Sequence, residues 1–232
     1  MNPRIAVLAS GGGTTAEAFI RVAQKGEINA NVELVIASRK DAGIFQRIDN
    51  LNREYGLHID CILINHQTHP AALTEHVERG GQTSGEEAAI LAALLAGHFD
   101  LIALMGYMKK VGPNLVSAFG WLPKYTSVFQ ARMVNTHPGL LPDTKAFHGQ
   151  QIQEYVLDRR LPYAGQTLHV VSKDYDAGPI IAEHKVPVEP GDTATSLFER
   201  VQAVEKKFLP GDIEDFIKGR QDYQASLRMT NP

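Results

Sequence analysis

An alternation of short apolar runs with longer amphipathic segments is the feature of this sequence that most constrains its fold. The amphipathic segments have the length and spacing of helices and include TAEAFIRVAQKG, IFQRIDNLNREYG and GEEAAILAALLAGHF. The apolar runs have the length of strands and lie at residues 4–9, 32–37, 60–64, 100–105 and 132–136. Because these runs are apolar throughout rather than at every second position, they indicate parallel strands covered on both faces. The sequence therefore predicts an α/β fold whose ligands lie at the carboxyl ends of the strands.

The pattern changes after residue 149. A helix is predicted at about 150–158, followed by two strands in GQTLHVV and PIIAEHKVPV, the turn SKDYDAG between them, and a long helix from Thr193. No repeat, low-complexity segment or Pro/Gly-rich linker divides the chain. Residues 1–221 are therefore predicted to form one domain, and residues 222–232 a loose tail.

The composition restricts the class of ligand. The chain has 232 residues, of which 44% are hydrophobic and 21% charged, so it can bury a large core. Its formal net charge is -3, with acidic and basic residues mixed along the chain, and the electrostatic footprint of a nucleic-acid-binding protein is absent from the sequence. No apolar run approaches the roughly 18 to 20 residues of a membrane span, and the N-terminus does not read as a secretory signal. We expect a cytoplasmic protein, monomeric or homodimeric, that acts on small molecules without nucleic acid or membrane.

The single cysteine, Cys61, lies in one of the apolar runs. One cysteine cannot form an internal disulfide or a cysteine-based zinc cluster, which fits a reducing compartment. We interpret Cys61 as a small, buried apolar residue.

A glycine-rich turn, SGGGTT, follows the first predicted strand. Gly11–Gly13 allow the backbone to approach a ligand, and the next helix begins with Thr14 and Thr15. A helix N-terminus offers free N–H groups and a positive partial charge, so the segment is typical of a phosphate site. A tight turn capped by a threonine is the alternative. The segment is neither a Walker loop, since no Gly-Lys-Ser/Thr follows, nor the full dinucleotide fingerprint, since Ala16 provides no third glycine in register.

Three polar residues stand where a buried strand is predicted to end. The run RMV leads into Asn135, Thr136 and His137, and Pro138 and Gly139 follow. In a packed interior each unpaired polar side chain would cost roughly 1 to 3 kcal/mol, so we expect these residues at the exit of the strand, facing a cleft. An imidazole in such a place is suited to proton transfer.

Other polar residues are ambiguous when taken one at a time. His169 lies in TLHVV, where a histidine is usually a hydrogen-bonded core residue, and Asp174 and Asp176 precede a Gly-Pro pair, where carboxylates usually shape a turn. The spacings of His137, His148 and His169 match no metal-ligand motif. We therefore predict no metal site.

The order of the motifs carries more information than any single motif. A glycine-rich first turn, MGYMKKVGP at 105–113, NTHPGLLP and HVVSKDYDAGPII follow one another as in the folate-dependent formyltransferases, which the chain resembles over roughly residues 4–218. The resemblance is strongest to members that formylate glycinamide ribonucleotide in purine biosynthesis. It implies a Rossmann-like sheet with helices on both faces, a nucleotide-binding half to about residue 130, and a catalytic, folate-binding half after it. It also implies 10-formyltetrahydrofolate as the co-substrate.

The resemblance assigns roles to the residues at matching positions. Asn135, His137 and Asp176 would form the catalytic set. The Asn135 amide and a protonated His137 would donate to the oxygen of the tetrahedral intermediate, and Asp176 would hold the imidazole and relay a proton through water, with His169 in support. The residues implied to bind the phosphate and the ribonucleotide are Gly11, Gly12, Gly13, Thr14, Thr15, Gln202 and Glu205, the last facing the acceptor's ammonium group. The residues implied to bind the folate are Met108, Lys110, Val111, Ser172 and Asp174.

Departures from the family pattern leave other acceptors open. The turn ends Thr14-Thr15 where the family commonly has Ser-Asn, and HPGLLPDTKAFHG lacks both the family's serine and its KYPG-like turn. A substrate arginine has no counterpart unless Arg79 takes that role, and GWLPKYTSVFQAR is longer than usual. Another amine acceptor, such as an amino-sugar nucleotide, is therefore one alternative. Hydrolysis of 10-formyltetrahydrofolate, with water as the acceptor, is the other.

Overall fold

One sheet organises the molecule in a computed structural model that describes residues 2–230. Within these residues the sheet has seven strands. Their bounds are β1 Arg4–Ala9, β2 Asn31–Ala37, β3 Asp60–Leu63, β4 Leu101–Met105, β5 Met133–His137, β6 Tyr163–Val170 and β7 Ile180–Pro187.

The strands lie in the order β3-β2-β1-β4-β5-β6-β7. The first five are parallel to their neighbours, and β6 and β7 continue the sheet in antiparallel fashion beyond β5. The direction of the strand order reverses between β1 and β4. Such a switch point opens a crevice at the carboxyl ends of the two strands, where open α/β sheets bind ligands. The predicted α/β fold with a mostly parallel sheet is confirmed.

Helices cover both faces of this sheet. Their bounds are α1 Thr14–Gln24, α2 Ile44–Tyr55, α3 Ser84–Gly97, α4 Pro113–Phe119, α5 Gln150–Asp158 and α6 Ala194–Thr230. Ile5 and Val7 of β1 pack with α1, α2 and α6, whereas Ala6 and Leu8 pack with α3 and α4. Alternate residues of one strand thus enter two cores, which explains why the run is apolar throughout. Among residues 2–230, no helix has both the length and the apolar character needed to cross a membrane.

Most predicted elements begin and end within one or two residues of the observed ones. Neither α4 nor a short 3-10 helix at Val128–Gln130 was predicted. The N-terminus of α4 is held by a distant side chain, because Glu87 of α3 accepts hydrogen bonds from the backbone N–H groups of Asn114 and Leu115. A helix of seven residues stabilised in this way has little periodicity of its own for a sequence pattern to detect.

The last helix is longer than expected. Thr193 caps it, since Thr193 Oγ1 accepts from the Ser196 N–H and Ser196 Oγ accepts from the Thr193 N–H. The helix continues through Pro210 to Thr230, so the prediction of a loose tail is wrong for residues 222–230; residues 231 and 232 lie outside the described part. Its last turns are mostly exposed and show no apolar stripe, the signal by which a helix is usually recognised.

Cys61 lies in β3, which is an edge strand. It is half-buried rather than fully buried, because no further strand covers that side of the sheet. Burial nevertheless raises the pKa of its thiol to about 11, which keeps it in the unreactive thiol form at neutral pH.

Candidate active site

The candidate site lies at the switch point of the sheet. The glycine-rich turn after β1 and the segment after β4 are joined there: the Ser10 N–H donates to Gly106 O at 3.0 Å, and the Met108 N–H donates to Ser10 Oγ at 2.8 Å. The carboxyl end of β5, with Asn135 and His137, lies next to β4 in the sheet. Three strand ends therefore form the floor of one cleft.

Two cavities open from this cleft and share one wall. Both are open to solvent, and the space within them, solvent included, is roughly 380 and 710 Å³. Asn135, Asp176, Tyr107 and Tyr175 line both of them. The first cavity is otherwise lined by Leu104, Lys109, Lys110, Val111, His169, Val171, Ser172, Lys173 and Asp174. The second cavity is otherwise lined by Thr15, Gly106, Met108, Thr136, His137, Pro138, Phe147, His148, Gly149, Phe198, Gln202 and Glu205.

The structure brings the three predicted catalytic side chains together at this wall. His137 Nδ1 lies 3.5 Å from Asp176 Oδ2, and Asn135 Nδ2 lies 3.5 Å from Asp176 Oδ1. Residues i and i+2 of a strand point to the same face, which is why Asn135 and His137 reach one carboxylate. His137 and Asp176 are 4% and 7% exposed, so their interaction is only weakly screened by solvent.

Thr144, which was not predicted as a site residue, fixes the orientation of His137. Thr144 Oγ1 donates to Leu140 O at 2.9 Å, so at 3.0 Å it accepts the hydrogen of His137 Nε2. The neutral ring therefore carries its proton on Nε2 and directs an unprotonated Nδ1 toward Asp176. Burial lowers the pKa of His137 below its usual 6.5, and the Asp176 carboxylate opposes this with a smaller effect.

One carboxylate oxygen of Asp176 lacks a hydrogen-bond partner in the described part of the chain. Within the described part of the chain, Oδ2 is buried and makes no hydrogen bond, a state that typically costs about 1 to 3 kcal/mol. The backbone φ of Asp176 is 48°, in the left-handed region that Asp enters more readily than most residues. Because the His137 Nδ1 is also an acceptor in the neutral ring, Oδ2 and Nδ1 face each other with a place for one proton between them.

His169 determines how the Asn135 amide is turned. His169 Nδ1–H donates to Val170 O at 3.0 Å, so its Nε2 accepts from Asn135 Nδ2–H, also at 3.0 Å. The amide N–H₂ group is thereby directed toward Asp176. One of its hydrogens is bound firmly by His169, and the other only loosely by Asp176 at 3.5 Å. The second hydrogen is the one available to a ligand.

A second buried carboxylate lies on the opposite side of β5. Thr136 Oγ1 donates to Glu205 Oε1 at 2.7 Å, and Thr15 Oγ1 donates to Glu205 Oε2 at 2.9 Å. Glu205 is 6% exposed and lines the second cavity. Burial raises the pKa of Glu205, while the two hydroxyl groups act in the opposite direction. Because successive side chains of a strand point to opposite faces, Asn135 and His137 contact Asp176, whereas Thr136 contacts Glu205.

The glycine-rich turn is shaped by close contacts rather than by a threonine cap. Gly13 precedes α1 with a φ of 74°, and a Cβ there would lie 2.3 Å from Ile44 Cδ1. No side chain caps the helix, so the alternative of a threonine-capped turn is wrong. Arg47 Nε donates to Gly12 O at 2.7 Å and holds the turn against α2, a contact the sequence did not indicate. A Cβ on either of the two preceding glycines would meet open space, so a ligand can approach the backbone.

Comparison with known proteins places this site in a family. A model of the formyl transferase family matches residues 3–213. The chain belongs to this family. Phosphoribosylglycinamide formyltransferase of Bacillus subtilis is 26% identical over 214 residues, which cover 92% of this chain and 94% of that protein. The human trifunctional purine biosynthetic protein adenosine-3 is 29% identical over 212 residues, which cover 91% of this chain but only 18% of that much longer protein.

A solved structure of another formyl transferase shares the fold. The crystal structure of glycinamide ribonucleotide transformylase 1 from Symbiobacterium toebii matches with a TM-score of 0.75 and 32% identity, over 94% of this chain and 89% of that one. The formyltransferase fold expected from the motifs is therefore confirmed.

The segment before α3 acts as a scaffold for the segment after β4. Gln82 accepts from the Gly112 N–H and donates to the Tyr107 hydroxyl, both at 2.8 Å, and the Lys110 N–H donates to Gly80 O at 2.8 Å. These three hydrogen bonds hold the segment after β4 in place. The role of Gln82 was not predicted from the sequence.

Two adjacent carboxylates in the first turn of α3 complete that scaffold. Glu86 is 1% exposed and pairs with Lys109, while Glu87 binds the N-terminus of α4. The pattern Thr83-x-x-Glu86 forms a capping box, which fixes Glu86 in place. That capping pattern is the signal by which this part of the site could have been found.

Not all of the predicted site residues line the two cavities: Gly11, Gly12, Gly13 and Thr14 line neither of them. Met108, grouped with the folate residues by the resemblance, lines the second cavity instead of the first. Arg79 is exposed and lines neither of the two cavities. His148 lines the second cavity, away from His169 in the first, and within residues 2–230 no cluster of three His, Cys, Asp or Glu side chains is arranged to hold a metal ion.

Proposed function

We propose that this protein transfers the formyl group of 10-formyltetrahydrofolate to the primary amine of glycinamide ribonucleotide. The observation that carries the proposal is that Asn135 and Asp176 line both cavities. Transfer between two small molecules needs a shared wall of this kind, because the attacking nitrogen must come within about 3 to 3.5 Å of the formyl carbon. The names of the Bacillus subtilis and Symbiobacterium relatives support this choice of acceptor.

The polar groups that a ribonucleotide amine requires lie at the second cavity and next to it. Thr15, in the first turn of α1, lines the cavity. The N-terminus of α1, with Gly11–Gly13 before it, lies outside the cavity lining and offers backbone N–H groups and a positive partial charge to a phosphate. Glu205 lies at the same cavity and can accept hydrogen bonds from an ammonium group. Gln202, one turn earlier on α6, lines the cavity beside it. We assign this cavity to the acceptor.

The first cavity would hold the folate. Lys110 and Val111 line it from the segment after β4, and Ser172 and Asp174 line it from the loop before Asp176. The segment after β4 is held by Gln82 and its neighbours, which keeps its main chain in place to read a flat heterocycle by hydrogen bonds. We assign the formyl donor to this side of the shared wall.

The chemistry needs two proton transfers and no oxidant or reductant. An acceptor that binds at Glu205 as an ammonium group first releases one proton to solvent. The free amine nitrogen then attacks the formyl carbon, and the new N–C bond forms as the carbonyl electron pair shifts to oxygen. The loosely held amide hydrogen of Asn135 donates to that oxyanion, a contribution typically worth about 10² to 10³ in rate. The proton lost by the amine enters the gap between His137 Nδ1 and Asp176 Oδ2. When the bond from the formyl carbon to the folate nitrogen breaks, that proton passes to the departing nitrogen.

His137 begins this sequence neutral. From the resemblance we expected a protonated His137, but burial lowers its pKa and Thr144 already accepts its Nε2 hydrogen. The ring becomes an imidazolium when the amine has lost its proton, and Asp176 then stabilises the charge at Nδ1. The positive ring offsets the negative charge on the formyl oxygen during the same interval.

The test is a formyl-transfer assay that compares three acceptors: glycinamide ribonucleotide, an amino-sugar nucleotide and water. We expect the protein to release tetrahydrofolate from 10-formyltetrahydrofolate only when glycinamide ribonucleotide is added, with the formyl group recovered on the ribonucleotide by mass spectrometry. Equal release without any amine would identify a hydrolase. Release with an amino-sugar nucleotide but not with glycinamide ribonucleotide would assign another acceptor and reject the proposal.

A further inference from the structure

A chain of buried polar groups ends at Glu205. Gln166 Nε2 donates to Thr136 Oγ1 at 3.2 Å, and Thr136 Oγ1 donates to Glu205 Oε1 at 2.7 Å. The exposed fractions of these residues are 0%, 6% and 6%. The chain crosses from β6 through β5 to α6, so three elements that are far apart in sequence fix one carboxylate. Apolar residues could fill the same space, since buried polar networks are often no more stable than apolar packing.

The direction of each hydrogen bond in the chain follows from the ionised carboxylate of Glu205, which can only accept. The single hydrogen of Thr136 Oγ1 therefore goes to Glu205, and the hydroxyl oxygen accepts from Gln166 Nε2–H. Gln166 Oε1 makes no hydrogen bond within residues 2–230, so the glutamine keeps this orientation without satisfying its own acceptor.

Both carboxylate oxygens of Glu205 accept a hydrogen bond, and both can accept further ones. Each carboxylate oxygen receives one hydroxyl hydrogen, from Thr136 or from Thr15, and can accept further hydrogen bonds. Hydroxyl donors favour the ionised carboxylate in a buried place that otherwise disfavours it. Thr15 belongs to the first turn of α1, so the carboxylate is fixed relative to the phosphate-binding turn as well.

We propose that Thr136, oriented by Gln166, is a positioning residue that keeps Glu205 directed into the second cavity and thereby selects an acceptor bearing an ammonium group. This inference rests on the proposed function and adds the residues that set its acceptor specificity. It predicts that the hydroxyl of Thr136 matters for the amine and for neither the formyl donor nor the overall fold.

The first test needs no substrate. In protein labelled with ¹³C at the glutamate carboxyl carbons, the Glu205 signal is assigned by its loss in Glu205→Gln and titrated with pH. We expect Thr136→Val to raise the pKa of Glu205 and Thr136→Ser to restore it, because serine keeps the hydroxyl. Thr167→Val is the matched control: it also removes a buried threonine hydroxyl, but one that donates to Gly139 O, and it should leave the Glu205 titration unchanged.

The second test is kinetic. We expect Thr136→Val to raise the KM for glycinamide ribonucleotide about 10-fold, the size of effect of one hydrogen bond to a charged group, with kcat and the KM for 10-formyltetrahydrofolate within about twofold. Gln166→Leu should act in the same direction and less strongly. In a Glu205→Gln background, Thr136→Val should add nothing further, because its effect passes through the carboxylate.

The outcomes separate this inference from the proposed function. An unchanged Glu205 titration in Thr136→Val overturns the inference, whatever the acceptor is found to be. So does an equal loss for both substrates that serine does not rescue, which would mark a structural role alone. A wild-type protein that fails to formylate glycinamide ribonucleotide rejects the proposed function, and the titration still decides whether Thr136 controls Glu205.

Discussion

Asp176 and Glu205 are two buried carboxylates that side chains on opposite faces of β5 contact. They differ in how completely their oxygens are hydrogen-bonded. Asp176 has a buried oxygen that lacks a hydrogen-bond partner in the described structure, two imidazoles at 3.5 Å and a backbone φ of 48°. Glu205 lies in a regular helix and receives a hydroxyl hydrogen bond on each oxygen, at 2.7 and 2.9 Å.

Under the proposed function, this difference separates a group that helps to move a proton from a group that holds a ligand. Asp176 can share the proton that enters at His137 Nδ1 without breaking an existing hydrogen bond, because Oδ2 has none among the described residues. The two threonine hydroxyls that donate to Glu205 keep that carboxylate in one orientation. Backbone strain and an unpaired oxygen at Asp176 are features that concentrate at functional sites. Changes at Asp176 should therefore lower kcat, and changes at Glu205 should raise KM.

The largest effect is expected from Asp176→Asn. Asparagine keeps the shape of the side chain and tolerates the left-handed φ, but it carries no charge to stabilise the imidazolium that forms at His137. We expect kcat to fall by about 10² to 10⁴ and the KM for the amine to change little. Asp212→Asn is the matched control, because Asp212 pairs with His184 at 2.8 Å and lines neither of the two site cavities. A kcat within threefold of wild type would remove Asp176 from the proposed chemistry.

Glu205→Gln should give the converse result. The substitution preserves size, replaces one of the two acceptor oxygens by an N–H₂ group and removes the negative charge that lines the second cavity. Loss of a hydrogen bond to a charged group corresponds to a rise of about 10- to 100-fold in the KM for glycinamide ribonucleotide, with a smaller change in kcat. Steady-state kinetics at several concentrations of both substrates measure this. If kcat fell and KM stayed constant, the two carboxylates would have to exchange roles.

Thr144→Val tests whether the orientation of His137 toward Asp176 matters, without changing either carboxylate. Valine leaves the buried Nε2–H of His137 without an acceptor, which typically costs about 1 to 3 kcal/mol of stability. Since the ring is then free to turn Nδ1 away from Asp176, we expect kcat to fall about 10-fold with the KM for the amine unchanged. Thr144→Ser should recover both quantities. Wild-type kcat in a stably folded Thr144→Val protein would show that the tautomer does not depend on this hydroxyl.

The smallest effect is one of stability, and it concerns Glu205. Burial raises the pKa of its carboxyl above the usual 4.5, so between these two values the folded protein binds a proton that the unfolded chain releases. The stabilising contribution of this carboxyl is therefore complete below pH 4.5 and is lost as pH rises through the raised pKa. Glu205→Gln removes this loss, so the difference between its urea midpoint and that of wild type should grow as pH rises from 4.5 through the raised pKa. A difference that does not vary with pH would contradict this account.

The sheet and the position of the site could be predicted because both depend on periodic signals. Runs such as RIAVLA are apolar at every position only when both faces are covered, and that property indicated the parallel sheet. Asn135 and His137 were recognisable as polar residues at the end of such a run. Their meeting with Asp176 came from the resemblance to the formyltransferases, since no spacing rule joins residues 41 and 39 positions apart.

The contacts that orient the site could not be predicted in the same way. Thr144 lies in an irregular loop, where no periodicity indicates which way a side chain points. Thr136 was selected as a polar residue, but its orientation toward α6 depends on the register of β5 and on the docking of the last helix. Gln166 lies in an apolar strand, and only the contact with Thr136 explains it. Such contacts arise from tertiary packing, which a single sequence does not encode in a local pattern.

The hydrogen bond between Thr15 and Glu205 joins residues 190 positions apart. During translation, the glycine-rich turn leaves the ribosome long before the helix that carries its partner. The second cavity can therefore be completed only after α6 has been synthesised. Contacts of such long range slow folding, and a nascent chain interrupted before residue 205 would lack the carboxylate that lines this cavity.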